Sequence, residues 1–92
     1  MVKLLGVFRV LSGRSRVRVK LGDGATVGDV VEKLGESFPP EFKEALVDPV
    51  LREPRPNALI LVNGKEVGVL DGVGTVVGDG DEVVFVPVTH GG

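Results

Sequence analysis

Two hydrophobic periods meet in this chain, and their order restricts the fold more than any other feature of the sequence. In residues 2–11 the even positions Val2, Leu4, Gly6, Phe8 and Val10 are apolar or lack a side chain, while Lys3 and Arg9 fall on odd positions. That two-residue period predicts a half-buried strand. "SGR", residues 12–14, is composed for a turn, and "RSRVRVKL" then sets Arg16, Arg18 and Lys20 on one side and Val17, Val19 and Leu21 on the other. The expectation is a hairpin of strands one and two.

The period changes in "GDGATVGDVVEKLGESF", residues 22–38, where Val27, Val30, Val31, Leu34 and Phe38 form one stripe of an amphipathic helix. Thr26 suits the N-cap, and Asp29, three residues on, suits the acidic half of a capping box. Gly28 and Gly35 weaken the helix, so packing has to hold it. After Pro39-Pro40, Phe42, Ala45 and Leu46 share a face, which predicts a shorter second helix. Residues 47–57 contain three prolines and read as a stiff surface connection. "ALILVNGKEV" predicts a buried strand entering a tight type I′ hairpin at Asn63-Gly64. A turn-rich stretch follows, with a single helical turn expected near residues 75–77, and "EVVFVPV" is the last strand, its ladder ended by Pro87. Two strands, one or two helices, two strands and a final strand make an α+β domain. The simplest arrangement is a mixed five-stranded sheet with its first and last strands side by side and a helix across one face.

At 92 residues the chain supports one core and no elaborate active site. We expect one domain over residues 1–92, with 88–92 as a flexible tail. Eleven basic against 13 acidic side chains leave no global field to attract nucleic acid or an anionic membrane. With no cysteine there is no disulfide, thiolate nucleophile or thiolate-bound metal, so any sulfur chemistry requires sulfur from outside. Arg9 interrupts the apolar N-terminus and no signal-cleavage pattern follows. The purely apolar run from Ala58 to Val62 is far shorter than the ~20 residues of a membrane-spanning helix. A cytoplasmic protein is expected.

Candidate sites in the body are sparse. Ser12, Ser15, Ser37, Thr26, Thr75 and Thr89 face a single histidine, His90, on a glycine-flanked tail that cannot hold it rigidly for a triad. Independent catalysis is therefore not expected. Asp71, Asp79, Asp81 and Glu82 lack the spacing of a calcium loop and read as turn formers. "GDGATVG" lacks the lysine of a phosphate loop and reads as the approach to a helix. Arg14, Arg16, Arg18 and Lys20 form a positive row that is either a solvated face or a docking site for an acidic partner. Nucleic acid is disfavoured because Tyr and Trp are absent. Leu5 and Val7, on the odd face of the expected first strand, are either partner contacts or covered by the proline-rich loop.

The sequence ends "VPVTHGG". Without Cβ atoms, Gly91 and Gly92 can thread extended through a narrow channel and expose the terminal carboxylate to reagents on an enzyme. A carboxylate is a poor electrophile, but transfer of AMP from ATP makes a mixed anhydride that a thiol or persulfide can attack. That chemistry requires a second protein with ATP, magnesium and a water-excluding site.

The strand order together with "GDGDEVVFVPVTHGG", residues 78–92, resembles the ubiquitin-like sulfur carriers of the β-grasp fold. These include the small subunit of molybdopterin synthase, the thiamin sulfur carrier and the ubiquitin-related modifier. "LVNG", residues 61–64, adds to the resemblance, which covers nearly the whole chain. It implies a non-catalytic carrier with no bound cofactor, whose Gly92 is adenylated by an E1-like enzyme using ATP and Mg. A persulfide donor then yields a thiocarboxylate, with Gly91 and His90 threading beside Gly92. The implied acceptors are molybdopterin synthesis or tRNA thiolation, and the alternative is conjugation of Gly92 to target-protein lysines. Molybdopterin-synthase small subunits usually carry a small residue before the glycine pair and often two prolines in the last strand. Here His90 and the lone Pro87, with the insertion around residues 39–57, look more like the ubiquitin-related modifier.

Overall fold

The computed structural model describes residues 1–48, 52, 54 and 57–88. The elements run β1 (Val2–Leu4), α1 (Gly6–Ser12), β2 (Arg16–Val17), α2 (Val27–Ser37), α3 (Pro40–Leu46), β3 (Ala58–Val62), β4 (Lys65–Glu66) and β5 (Val83–Pro87). Single 3₁₀ turns occupy Val67–Val69 and Gly72–Gly74. The strands form one mixed sheet in the order β2-β1-β5-β3-β4. First and last strands lie side by side as expected, and they run parallel, with Val2 beside Val83 and Leu4 beside Phe85. β5 also pairs antiparallel with β3 along its whole length, Ala58 opposite Pro87 and Val62 opposite Val83.

The main helix follows its sequence signals. Thr26 Oγ1 accepts from the Asp29 N–H, and the Asp29 carboxylate accepts from the Thr26 N–H at 2.9 Å, closing the capping box. Val27, Val30, Val31 and Leu34 are buried. Helix α3 begins with Pro40 in its first turn and buries Phe42 and Leu46. Asn63 and Gly64 both adopt positive φ, 50° and 83°, and close the hairpin between β3 and β4.

The N-terminal reading needs correction. The strand expected over residues 2–11 stops at Leu4, and Gly6 turns the chain at φ +54° into α1. The spacing of Leu4, Phe8 and Leu11 fits a helix as well as the even positions fit a strand, and tertiary packing selects the helix. Phe8 is fully buried, whereas Val10, which a strand would bury, is 78% exposed. The expected turn at residues 12–14 is instead the end of α1, capped by left-handed Gly13. Strands β1 and β2 are still antiparallel neighbours, Val2 opposite Val17, but a helix joins them and β2 has only two residues.

Two smaller corrections concern the second half. The helical turn expected at 75–77 lies at Gly72–Gly74, while Val76 forms a bridge with Thr26. The run Ala58–Val62, read as wholly buried, is buried only at Ala58, Ile60 and Val62, because the helices cover one face of the sheet. The core between sheet and helices includes Phe8, whose ring meets Phe42 edge-on at 6.2 Å. Of the proline-rich connection, residues 49–51, 53, 55 and 56 lie outside the described residues.

Candidate functional site: the root of the C-terminal segment and the open face beside it

The last strand leads directly toward the glycine pair, so the geometry of its exit decides how the terminus is presented. β5 is hydrogen-bonded on both sides, and its Phe85 is fully buried. Past the strand, the Val88 N–H donates to the Asn57 carbonyl at 3.0 Å. Beside this exit Gly6 packs so closely on Pro87 that a Cβ there would lie 2.6 Å from Pro87 Cγ. The segment is thus anchored through residue 88. Thr89, His90, Gly91 and Gly92 lie outside the described residues.

One sheet face faces the helices, and the other carries side chains that lead to this exit. Along β5 the alternation buries Val83 and Phe85 and leaves Val84 and Val86 on the open face. Cross-strand register sets Leu61 opposite Val84 and Leu59 opposite Val86. Leu59 is 39% exposed and Val88, in phase with both valines, 41%. Leu5 completes the row, since the parallel register continued by one residue sets it beside Val86, and its N–H donates to Phe85 O at 3.2 Å. An apolar strip of Leu5, Val84, Val86, Leu59 and Leu61 therefore runs up to Val88. Sequence reasoning found Leu5, for which it assumed a longer strand. It missed the other members because an unbroken apolar run carries no period to show which face is covered.

The remaining candidates separate from this strip. Val7 sits on α1, 44% exposed, and Leu5 is 42% exposed. The strand face that was to unite the two does not exist, because α1 begins between them. Arg14, Arg16, Arg18 and Lys20 are all exposed, as the alternation implied, but only Arg16 belongs to a strand. Arg16 stands on β2, an edge strand of the sheet, and the other three flank it in the chain. Lys3, on the open face, is ion-paired with Glu82 at 3.1 Å.

Several of the hydroxyl and carboxylate candidates hold local structure. Ser12 Oγ donates to Arg14 O, Ser37 Oγ to Lys33 O and Thr75 Oγ1 to Gly72 O, while Thr26 caps α2. Asp81 accepts from Asn63 Nδ2 at 2.9 Å and from the Gly78 N–H at 2.8 Å. These bonds hold its carboxyl below the ordinary carboxylate range, the Asn63 amide first and the Gly78 N–H second. Asn63 Oδ1 in turn accepts from the Glu82 N–H, so the hairpin turn is tied to the start of β5. Among the described residues no group of His, Asp and Glu is placed to hold a metal, and no helix is long and apolar enough to cross a membrane.

A mixed sheet grasping one main helix, with its final strand central and an exposed apolar face leading to the terminus, defines the β-grasp class of ubiquitin-like carriers and modifiers. The family comparison narrows the class, because the ThiS family model matches residues 2–92. The chain belongs to the ThiS family. It is 35% identical over 91 residues to small archaeal modifier protein 3 of Haloferax volcanii, covering 98% of this chain and 96% of the relative. The solution structure of the Haloferax volcanii HVO 2177 protein is 33% identical with a TM-score of 0.81, over 99% of this chain and 83% of that one. Urm1 from Trypanosoma brucei is 28% identical with a TM-score of 0.78, over 99% and 92% respectively.

Proposed function

We propose that this chain is a sulfur carrier acted on by an E1-like enzyme, with Gly92 as the activated residue. ATP and Mg bound to that enzyme convert the Gly92 carboxylate to an acyl adenylate, releasing pyrophosphate. The terminal sulfur of a persulfide attacks the carbonyl carbon and AMP leaves. A second thiol then cleaves the S–S bond, leaving a thiocarboxylate on Gly92 and a disulfide on the donor. The thiocarboxylate serves molybdopterin synthesis or tRNA thiolation. Gly91 and His90 thread the cleft, and the protein itself supplies docking and reach rather than catalysis.

The observation that carries this reading is the root of the segment. A terminus that must enter another protein's cleft has to leave from a fixed point beside a surface that the partner can cover. The strip from Leu5 to Val88 supports this reading, because it is apolar, partly exposed and lies beside the exit of β5. Incubation with the cognate activating enzyme, ATP and a sulfur donor is expected to raise the intact mass by the exchange of one oxygen for sulfur. Truncation of Gly92 abolishes the gain, and Leu59→Asp slows it by about tenfold or more while the fold persists. An unchanged mass with an enzyme proven active on another carrier overturns the proposal.

A second reading is favoured by the likeness to small archaeal modifier protein 3. In it the activated Gly92 acylates lysine amines of target proteins. Covalent adducts of tagged protein that disappear on removal of Gly92 distinguish the modifier from the carrier, and the same activated terminus serves both.

A further inference from the structure

The edge strand β2 lies apart from the apolar strip on the open face. The phase of β1 determines which of its backbone groups are free. Val83 N–H donates to Met1 O and Leu5 N–H to Phe85 O, so the odd residues of β1 direct their backbone groups to β5. The even residues Val2 and Leu4 then face β2, where Leu4 N–H donates to Ser15 O at 2.9 Å and Val2 is paired with Val17. Ser15 and Val17 point inward, and Arg16 between them turns its N–H and C=O away from the sheet. Beyond β2, residues 18–21 make no backbone hydrogen bond to another described residue. Arg14 is different, since its N–H and C=O are both engaged by Ser12 Oγ. The open template therefore starts at Arg16.

The side chains on this template have one sign. Arg16, Arg18 and Lys20 are exposed and alternate with the half-buried Val17, Val19 and Leu21. None of the three forms a salt bridge among the described residues. Met1, Arg18, Val19, Lys20 and Asp79 line a shallow groove of ≈ 420 Å³ at the edge.

Three occupants can be weighed by chemistry. A second copy of the chain paired through the same edge opposes one cation row with another, which is destabilising. A nucleic-acid strand offers phosphate acceptors to the cations, but its phosphodiester backbone has no N–H donors spaced to match the outward carbonyls, and the chain has no Tyr or Trp on which bases stack. An extended peptide supplies donors and acceptors in the required alternation, and carboxylates at every second residue fall opposite the cations. We propose that the β2 edge binds an extended acidic peptide by strand addition, with its carboxylates set against Arg16, Arg18 and Lys20.

The test uses the full, ¹⁵N-labelled chain and a capped synthetic peptide alternating glutamate and valine. Amide shifts are expected to change at residues 14–21, with slowed exchange of the Arg16 and Arg18 amides. The pair Arg16→Glu with Arg18→Glu weakens binding by about tenfold or more. The same peptide N-methylated at alternate residues, which removes its donors to the edge, binds the unmodified protein at least about tenfold more weakly. That arm decides the matter even if the double variant loses its fold. Equal binding of the methylated peptide overturns the proposal. So do shifts centred on Leu59, Val84 and Val86, or displacement of the peptide by a single-stranded oligonucleotide at equal concentration.

Discussion

The two poles of the sheet are held by different forces. At the pole where β5 begins, side chains bridge to backbone: Asn63, Asp81 and Glu82 tie the hairpin to the strand, and Thr26 with Asp29 closes the start of α2 nearby. At the pole where the C-terminal segment leaves, the start of α1 has no side-chain cap among the described residues. There the structure relies on Phe8 and Phe85 in the core, on Gly6 against Pro87, and on backbone rungs. Apolar packing and main-chain bonds carry no titrating group, while carboxylate contacts respond to pH and are screened by salt. The end at which β5 exits is thus the one that relies least on titratable side chains.

Substitutions can break this contrast, beginning at the packed pole. Phe8→Ala removes a fully buried ring from α1 and its edge contact with Phe42, and should cost about 3–5 kcal/mol. Urea denaturation measures it, and a loss under 1 kcal/mol, roughly a surface value, means that α1 is not held by the core. Gly6→Ala should cost about 1–3 kcal/mol, because its φ of +54° is strained for alanine and the new Cβ meets Pro87. Adding Pro87→Ala should relieve the steric part alone, so full recovery in the double variant refutes the backbone contribution.

At the polar pole the effects are smaller. Thr26→Ala opens the capping box for about 1 kcal/mol, and Thr26→Ser should restore most of it. Failure of serine to rescue assigns the loss to the methyl group rather than to the cap. The least effect belongs to Asp81. Its folded pKa is lowered, so its contribution is present above the unfolded value of 3.8 and is lost as pH falls through the folded value. Asp81→Asn should flatten the acid limb of the stability profile. Amide exchange in acid should rise first around Asn63 and Glu82, and a first rise at Val86 or Val88 reverses the assignment of the two poles.

What sequence alone could show follows the same division. Helix α2 was legible because Val27, Val30, Val31 and Leu34 repeat with its period and Thr26 and Asp29 mark its start. Asn63-Gly64 was legible because few residue pairs accept two positive φ angles. Helix α1 was hidden, since Phe8 satisfies both periods and only the third dimension reveals Pro87 above Gly6. The apolar strip was hidden for another reason. Residues 58–62 and 83–88 are apolar almost throughout, and which half is covered depends on where the helices lie. The glycine pair was conspicuous from the start, whereas the apolar strip at the exit of β5 emerges from the register of β3 against β5.

Because β1 and β5 run in the same direction, Met1 lies at the opposite pole from residue 88, its amine donating to Asp81 O at 3.0 Å. Cargo fused ahead of Met1, such as a fluorophore, a bead linker or another domain, would hang from the far side of the molecule. A laboratory tether at that position is therefore remote from the exit of β5 and from Leu5, Leu59 and Val86.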